Sequence, residues 1–336
     1  MTNKYKHLSF IASIASVVSI ASISSASAQA QTEGHYRYSD GVQLWRLTGN
    51  AAGLGLDADA DGGLLTKTYN RGYAEVGAEH ASGSYHRVQE GGQRNQLQFY
   101  TERYQHIGMF LVGYGQFQFD MDRTTGRAWC DVMRPYDSNP YFSGSSVHGK
   151  YDTQQFDLSA ALSTMPIPLA GESADRELTM GVRLDYKVGD LSRLRDPRSR
   201  SELLDYKVAP ALTYSFGNNS VGLAGHYKRR KEKIPNITTV QTDPNLMYWQ
   251  MTGVDQATAT VGGYSGFSRE WVDHQLGAEL SYGTHRTYKT YKTHKSYKTY
   301  KTHKTYKSYN PHNPHTWSSL TTLGIARGKE DAWGVY

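Results

Sequence analysis

Two runs joined by a charged loop carry the clearest alternation in this chain. In the first, Leu178, Met180, Val182, Leu184, Tyr186 and Val188 share one parity, while Thr179, Gly181, Arg183, Asp185 and Lys187 fill the other. The second sets Tyr206, Val208, Leu212, Tyr214 and Phe216 against Lys207, Ala209, Ala211, Thr213 and Ser215. Successive side chains of a β-strand point to opposite faces, so each run predicts a strand with one apolar and one polar or small face. Each run is 11 residues long, which matches the roughly 9–11 tilted residues that cross a bilayer as a strand. A soluble antiparallel sheet gives the same alternation with its apolar face turned inward. The pattern alone leaves both readings open.

The two-residue period recurs on either side. Ala74, Val76 and Ala78 alternate with Tyr73, Glu75 and Glu79; Leu97 and Phe99 with Gln96, Gln98 and Glu102. Phe117, Phe119 and Met121 alternate with Gln116, Gln118, Asp120 and Asp122, and Phe156, Leu158, Ala160 and Leu162 with Gln155, Asp157 and Ser159. Val221, Leu223, Gly225 and Tyr227 follow, then Leu276, Ala278, Leu280 and Tyr282. Helical periodicity is absent. Counted in order, the links Ala81 to Gln93, Arg123 to Lys150, Gly189 to Leu204 and Arg230 to Asn245 are long and share one end. Gln105 to Gly108 and Gly217 to Ser220 are tight and share the other, with Thr164 to Asp175 the exception. Long extracellular loops and short periplasmic turns are the habit of outer-membrane barrels. Tyrosines near run ends, among them Tyr69, Tyr104, Tyr186, Tyr206 and Tyr282, fit interfacial girdles or a tyrosine-rich core.

The N-terminus changes the picture. Lys4 and Lys6 precede an apolar stretch from Leu8 to about Ile23, and two A-x-A sites end at Ala28 and Ala30. Residues 1–30 therefore read as a secretory signal peptide, and the mature chain as exported. Past it no apolar run reaches 18 residues, which excludes spanning helices but not a barrel, whose signal is spread thinly over strands. Residues 31–68 form a separate periplasmic N-terminal segment in this reading. It contains Asp57, Asp59 and Asp61 followed by Gly62, the first carboxylates and glycine of a calcium loop. Position 12 is Thr68 rather than the bidentate Glu, so an acidic turn is the competing account.

Composition refines this further. The 33 glycines and 26 tyrosines against one cysteine favour aromatic-rich β-structure over a disulfide scaffold. Cys130 has no intrachain partner and no Cys-His motif, so it reads as a buried, inert thiol rather than a nucleophile. The net charge of +6 invites a nucleic-acid reading. However, Thr284 to Tyr309 holds seven Lys and one Arg without an acid, and removing it together with Lys4 and Lys6 leaves −4. The basicity belongs to one tract, and no nucleic-acid partner is expected. That tract repeats Thr/Ser-Tyr/His-Lys every three residues, a period that fits neither strand nor α-helix. It reads as a solvated low-complexity loop or as an arm for anionic lipid. Residues 316–336 hold a candidate last strand and an aromatic terminus of the kind barrel assembly machinery reads.

Several segments in order resemble one family. They are Gly49-Asn50-Ala51-Ala52-Gly53-Leu54, Tyr85-His86-Arg87-Val88-Gln89-Glu90-Gly91, Tyr114-Gly115-Gln116-Phe117, Asn139-Pro140-Tyr141 with Gly149-Lys150-Tyr151, Arg195-Asp196-Pro197-Arg198, and Tyr227-Lys228-Arg229-Arg230-Lys231-Glu232. This set resembles the DUF6850 family of Bacteroidota outer-membrane β-barrel proteins; no matching segment lies beyond Glu232. The resemblance implies location and architecture but supplies no catalytic residues.

No G-x-S-x-G, HExxH or P-loop appears, and the histidines stand without a spaced Ser or Asp partner, so no enzyme is expected. Arg195, Asp196, Arg198 and Arg200 form the densest charged piece of a long loop. They are either a ligand contact, since Arg forks grip carboxylate or phosphate, or an internal Arg–Asp brace. The sequence thus predicts an all-β, antiparallel transmembrane β-barrel of about 10–14 strands in the outer membrane. It would span residues 69–283, with the basic repeat over 284–315 after it. The expected job is solute passage or ligand capture at the cell surface. The expected partners are outer-membrane lipid and lipopolysaccharide, the barrel assembly machinery and a TonB-dependent transporter. No cofactor is expected unless calcium sits at the aspartates. The rivals are a non-conducting surface-binding barrel and a secreted soluble β-sandwich.

Overall fold

A computed structural model describes residues 13–14, 19–21, 48–59, 71–134, 143–169, 176–239, 247–251, 257–261, 268–287 and 316–335. Asp61 and residues 288–315 of the basic repeat lie outside the described residues, as does most of the expected signal peptide. Nine long strands dominate the described residues: β1 (Arg71–Ser82), β2 (Gln93–Ile107), β3 (Leu111–Arg127), β4 (Gly149–Thr164), β5 (Arg176–Arg193), β6 (Arg198–Phe216), β7 (Asn219–Ile234), β8 (Ser268–Thr287) and β9 (Thr316–Val335). Each pairs antiparallel with the next, so the sheet is an up-and-down meander in chain order. Ser13–Ile14 and Ser19–Ala21 pair with the far edge of β9. A second, three-stranded sheet joins Ser143–Gly144, Met247–Met251 and Ala257–Val261.

No pairing of β1 with β9 is present among the described residues. An odd number of alternating strands leaves those two running the same way, and all-antiparallel closure takes an even count. What is present is a long antiparallel sheet that curls. The reason lies in Thr48 to Asp59, where helix α1 (Gly53–Asp59) follows a turn. Ala51 and Leu54 pack with Tyr104 of β2, Val112 and Tyr114 of β3 and Ala161 of β4. Gly55 N donates to Ser163 Oγ at 3.2 Å, and Ala52 packs with Ala211 of β6 and Ala224 of β7. Gly49 N donates to the Glu279 carboxylate of β8 at 3.0 Å. One short segment thus reaches β2 through β8. Seven flat strands would extend about 29 Å at 4.8 Å spacing. A turn rising about 1.5 Å per residue covers only about 8 Å from Gly49 to Leu54. Side-chain reach does not make up the difference, so the sheet wraps around the segment.

The face that touches this segment carries Tyr104, Val112 and Tyr114 on β2 and β3 and small residues on β5 to β7. On β5, Gly181 meets the N-terminal segment, whereas Met180, Val182, Leu184 and Tyr186 on the opposite face are 41–43% exposed. The same holds for Phe156, Leu158 and Leu162 on β4, Leu212 on β6, Leu223 on β7 and Leu280 on β8. The convex surface is apolar and the concave interior is charged. Polarity is inverted relative to a soluble domain.

Several boundaries differ from the sequence reading. Within the expected N-terminal segment, Ala51, Ala52 and Leu54 pack against the sheet, while residues 31–47 and 60–68 lie outside the described residues. Gly189 to Leu204 is not a long loop: β5 and β6 continue to a link of residues 194–197. Both faces turn polar there, which hides the strand, but the ladder continues and Arg200 Nε lies 3.0 Å from Asp190 across it. Thr316–Val335 is a full strand paired with β8, so the sheet does not end at 283. The link between β8 and β9 falls at the same end as residues 108–110 and 217–218, so the sorting of long and short links is weaker than expected.

Gly181 is where the N-terminal segment sits closest: a Cβ there would lie 2.6 Å from the Ala51 carbonyl carbon and the Ala52 nitrogen. Backbone cannot yield as a side chain can, so Gly181→Val should expel the segment. Limited proteolysis should then cut between Thr48 and Asp59 in the variant, with a melting temperature lower by several degrees for about 2 kcal/mol lost. An unchanged cleavage pattern would contradict the packing.

Candidate functional site

The interior has three levels, set by which residues the polar parity of each strand delivers. At the helix end, Asn50 is held by its own side chain: Nδ2 donates to Thr213 Oγ1 at 2.8 Å, and Oδ1 accepts from Ala52 N at 2.9 Å. Ser163 Oγ donates to Ala52 O at 3.2 Å, and Gly222 leaves room for the Asn50 amide where a Cβ would lie 2.2 Å from Nδ2. These bonds satisfy the turn's buried polar groups. The segment is fixed against the wall by geometry that only small residues on β5 and β7 permit.

Above it lies a cavity of about 330 Å³. Its charged walls are Asp157 on β4, Arg183, Asp185 and Lys187 on β5, Asp205 and Lys207 on β6, Lys228 on β7, and Arg134 from the link after β3. Ser159 and Gln116 add neutral polar groups. Lys187 Nζ sits 2.8 Å from Asp157, and Arg183 Nε 2.9 Å from Asp185. Asp185 also accepts from Ser159 Oγ. Asp205 is shared by Arg134 at 3.5 Å, Lys228 at 3.6 Å and Arg230 at 3.4 Å. Among the described lining residues, five cations stand with three carboxylates. The cavity size suits a small solute.

At the third level the links fold over the strand ends. Tyr151 of β4 donates to Asp131 Oδ1 at 2.8 Å and accepts from Arg193 Nη1. The guanidinium carbons of Arg127 and Arg193 stand 5.0 and 5.3 Å from its ring centroid, a double cation–π contact. Arg127 also donates to the carbonyls of Cys130 and Val132. Glu232 of β7 accepts from Met133 N and Ser201 Oγ, both at 2.7 Å. Cys130, Val132, Ile234, Ile237 and Tyr248 form an apolar cluster beside this network. Burial pushes the Cys130 thiol up to about 11 despite the nearby Arg127 charge, and burial also raises the Tyr248 phenol. The Cys130 thiol therefore stays protonated and covered at neutral pH.

The residues singled out in the sequence lie elsewhere. Arg198 Nε sits 3.0 Å from Asp196, Arg195 Nη1 donates to His148 O at 3.0 Å, and Arg200 pairs with Asp190. These contacts brace the strand ends and stand apart from the cavity lining. Asp57 and Asp59 fall within α1, and Asp61 lies outside the described residues. The cavity residues were missed as a set. Their signal was available in part: Arg183, Asp185 and Lys187 stand on the polar parity of one strand, and Lys207 on that of the next. Arg134 comes from an irregular link and carries no periodic signal.

The model of a family described as a family of unknown function, DUF6850, matches residues 60–335. The chain belongs to the DUF6850 family. The matched region reaches through the C-terminal third and the basic repeat, where the segment resemblance had found nothing, and begins after Gly49 to Leu54. No curated protein matches the chain.

The covered, protonated thiol gives a direct check. In folded protein at pH 8, Cys130 should react with a disulfide reagent more than about a hundredfold slower than free cysteine, from its thiolate fraction alone. Unfolding should restore full labelling; rapid stoichiometric labelling of the folded chain would contradict the burial.

Proposed function

We propose that this DUF6850 protein is an outer-membrane β-barrel that captures a small solute in its interior. The observation that carries the reading is the inverted polarity of the sheet. Every long strand from β1 to β8 turns apolar residues such as Val76, Phe99, Phe156, Val182, Leu212 and Leu280 to the convex surface. A soluble monomer rarely leaves so wide an apolar surface uncovered, whereas lipid covers it at no cost. A β-sandwich would place these side chains between its sheets.

The position of the apolar belt supports the same reading. Ladder partners lead from Val76 through Phe99, Phe119, Phe156, Val188, Leu204, Lys231 and Val272 to Asp331. The exposed apolar residues of β9 are Leu323 and Ile325, six to eight positions from Asp331. A drift of about seven residues over eight strand steps corresponds to strands inclined by about 30°, near the tilt of membrane barrels. A level belt on tilted strands is what a bilayer imposes.

Capture fits the interior better than open passage. Thr48 to Leu54 fills one end, and the network around Tyr151 and Glu232 covers the other. A cavity remains between them. Onward movement of a captured solute needs an energised partner, the role in which a TonB-dependent transporter enters the proposal. Outer-membrane lipid and lipopolysaccharide are the surroundings the belt requires.

Two measurements on the full chain check this. Folded protein from the outer-membrane fraction should migrate faster before boiling than after, and it should show no steady unitary conductance in planar bilayers. Recovery in the soluble fraction with heat-independent migration would overturn the barrel. A stable ohmic conductance would overturn capture in favour of an open channel.

A further inference from the structure

We infer that the interior cavity is a binding site for a small dianion, a solute carrying a phosphate or paired carboxylates. This deepens the capture reading and rests on it for its biological meaning. The decisive feature is the pairing of Lys207 and Lys228. They are directly opposite each other in the β6–β7 ladder, with both side chains lining the cavity. Like charges at opposed positions of an antiparallel pair destabilise the sheet. The carboxylates that line the cavity are engaged by other groups as well. Asp185, opposite Lys207 on β5, is taken by Arg183 and Ser159. Asp205 already serves Arg134, Lys228 and Arg230, at 3.4–3.6 Å each. Among the described residues Lys207 makes no ion pair.

A partly enclosed cation without a counter-charge is costly, more so where low-dielectric walls weaken solvent screening. An anion between Lys207 and Lys228 removes both penalties. Two facing ammonium groups match the paired charges of a dicarboxylate or of a phosphate monoester, about −1.5 to −2 at neutral pH. A monoanion meets them with half that charge, and a neutral sugar with none. The cavity, at about 330 Å³, admits such a molecule together with a few waters.

The test uses purified full-length protein in detergent, with calorimetric titration of inorganic phosphate and of succinate, and sucrose as the neutral control. Either dianion should bind at about 20 mM salt and weaken at about 200 mM, while sucrose does not bind. Lys207→Gln should weaken binding by about tenfold, the scale of one charge-assisted contact. Asp205→Asn should tighten it, because it frees Lys228 from a competing carboxylate. Heat-dependent migration of each variant reports folding. Absence of binding by either dianion to protein that keeps this migration overturns the anion site alone, as does equal affinity in Lys207→Gln and wild type. Loss of that migration in the wild type is instead the failure of the barrel reading.

Discussion

The structure depends on one constraint: a sheet whose polar face is turned inward brings its charges together and must pair them largely within its own wall. A soluble domain solves the inside with apolar packing, and its charges face solvent. Here the apolar residues are outside, and Arg183, Asp185, Lys187, Asp205 and Lys228 must be matched within the wall. The ladder register does most of this, placing Lys187 opposite Asp157 and Asp205 opposite both Lys187 and Arg230. Where the described residues of the wall supply no ion pair, at Lys207, the inferred anion site lies. Charge matching and ligand binding are one problem seen at different positions.

The same constraint explains the N-terminal segment. A curled sheet with small inward residues at one end leaves space that must be filled or hydrated. Asn50, Ala51, Ala52 and Leu54 fill it with little bulk, and the Asn50 side-chain amide, the Gly55 N–H and the Gly49 N–H donate to Thr213, Ser163 and Glu279 on three separate strands. The segment therefore ties distant strands together as well as excluding water. Gly181 and Gly222 are the complementary concessions in the wall.

Much of the fold was legible in the sequence, and the failures have physical causes. The two-residue period exposed the strands and their faces from Tyr73 to Tyr282, because side-chain alternation is local. The ends of β5 and β6 were lost, since past the apolar belt Asp190, Arg193, Arg200 and Glu202 make both faces polar. Density of charge drew attention to Arg195 to Arg200, but density alone does not separate a brace from a site. Asn50 meets Thr213 across 163 positions, and no periodicity records a contact of that length. The last strand was only a candidate because an unpatterned basic repeat separates it from its partner β8.

The account stands or falls on which face of the sheet meets lipid. With Cys130 replaced by Ala, single spin labels placed in turn from Val182 to Lys187 in lipid vesicles would read this residue by residue. Collision with dissolved oxygen should be high at Val182, Leu184 and Tyr186 and low at Arg183, Asp185 and Lys187, repeating every second position. The opposite phase, or a flat profile with equal access of a water-soluble nickel chelate throughout, would contradict it.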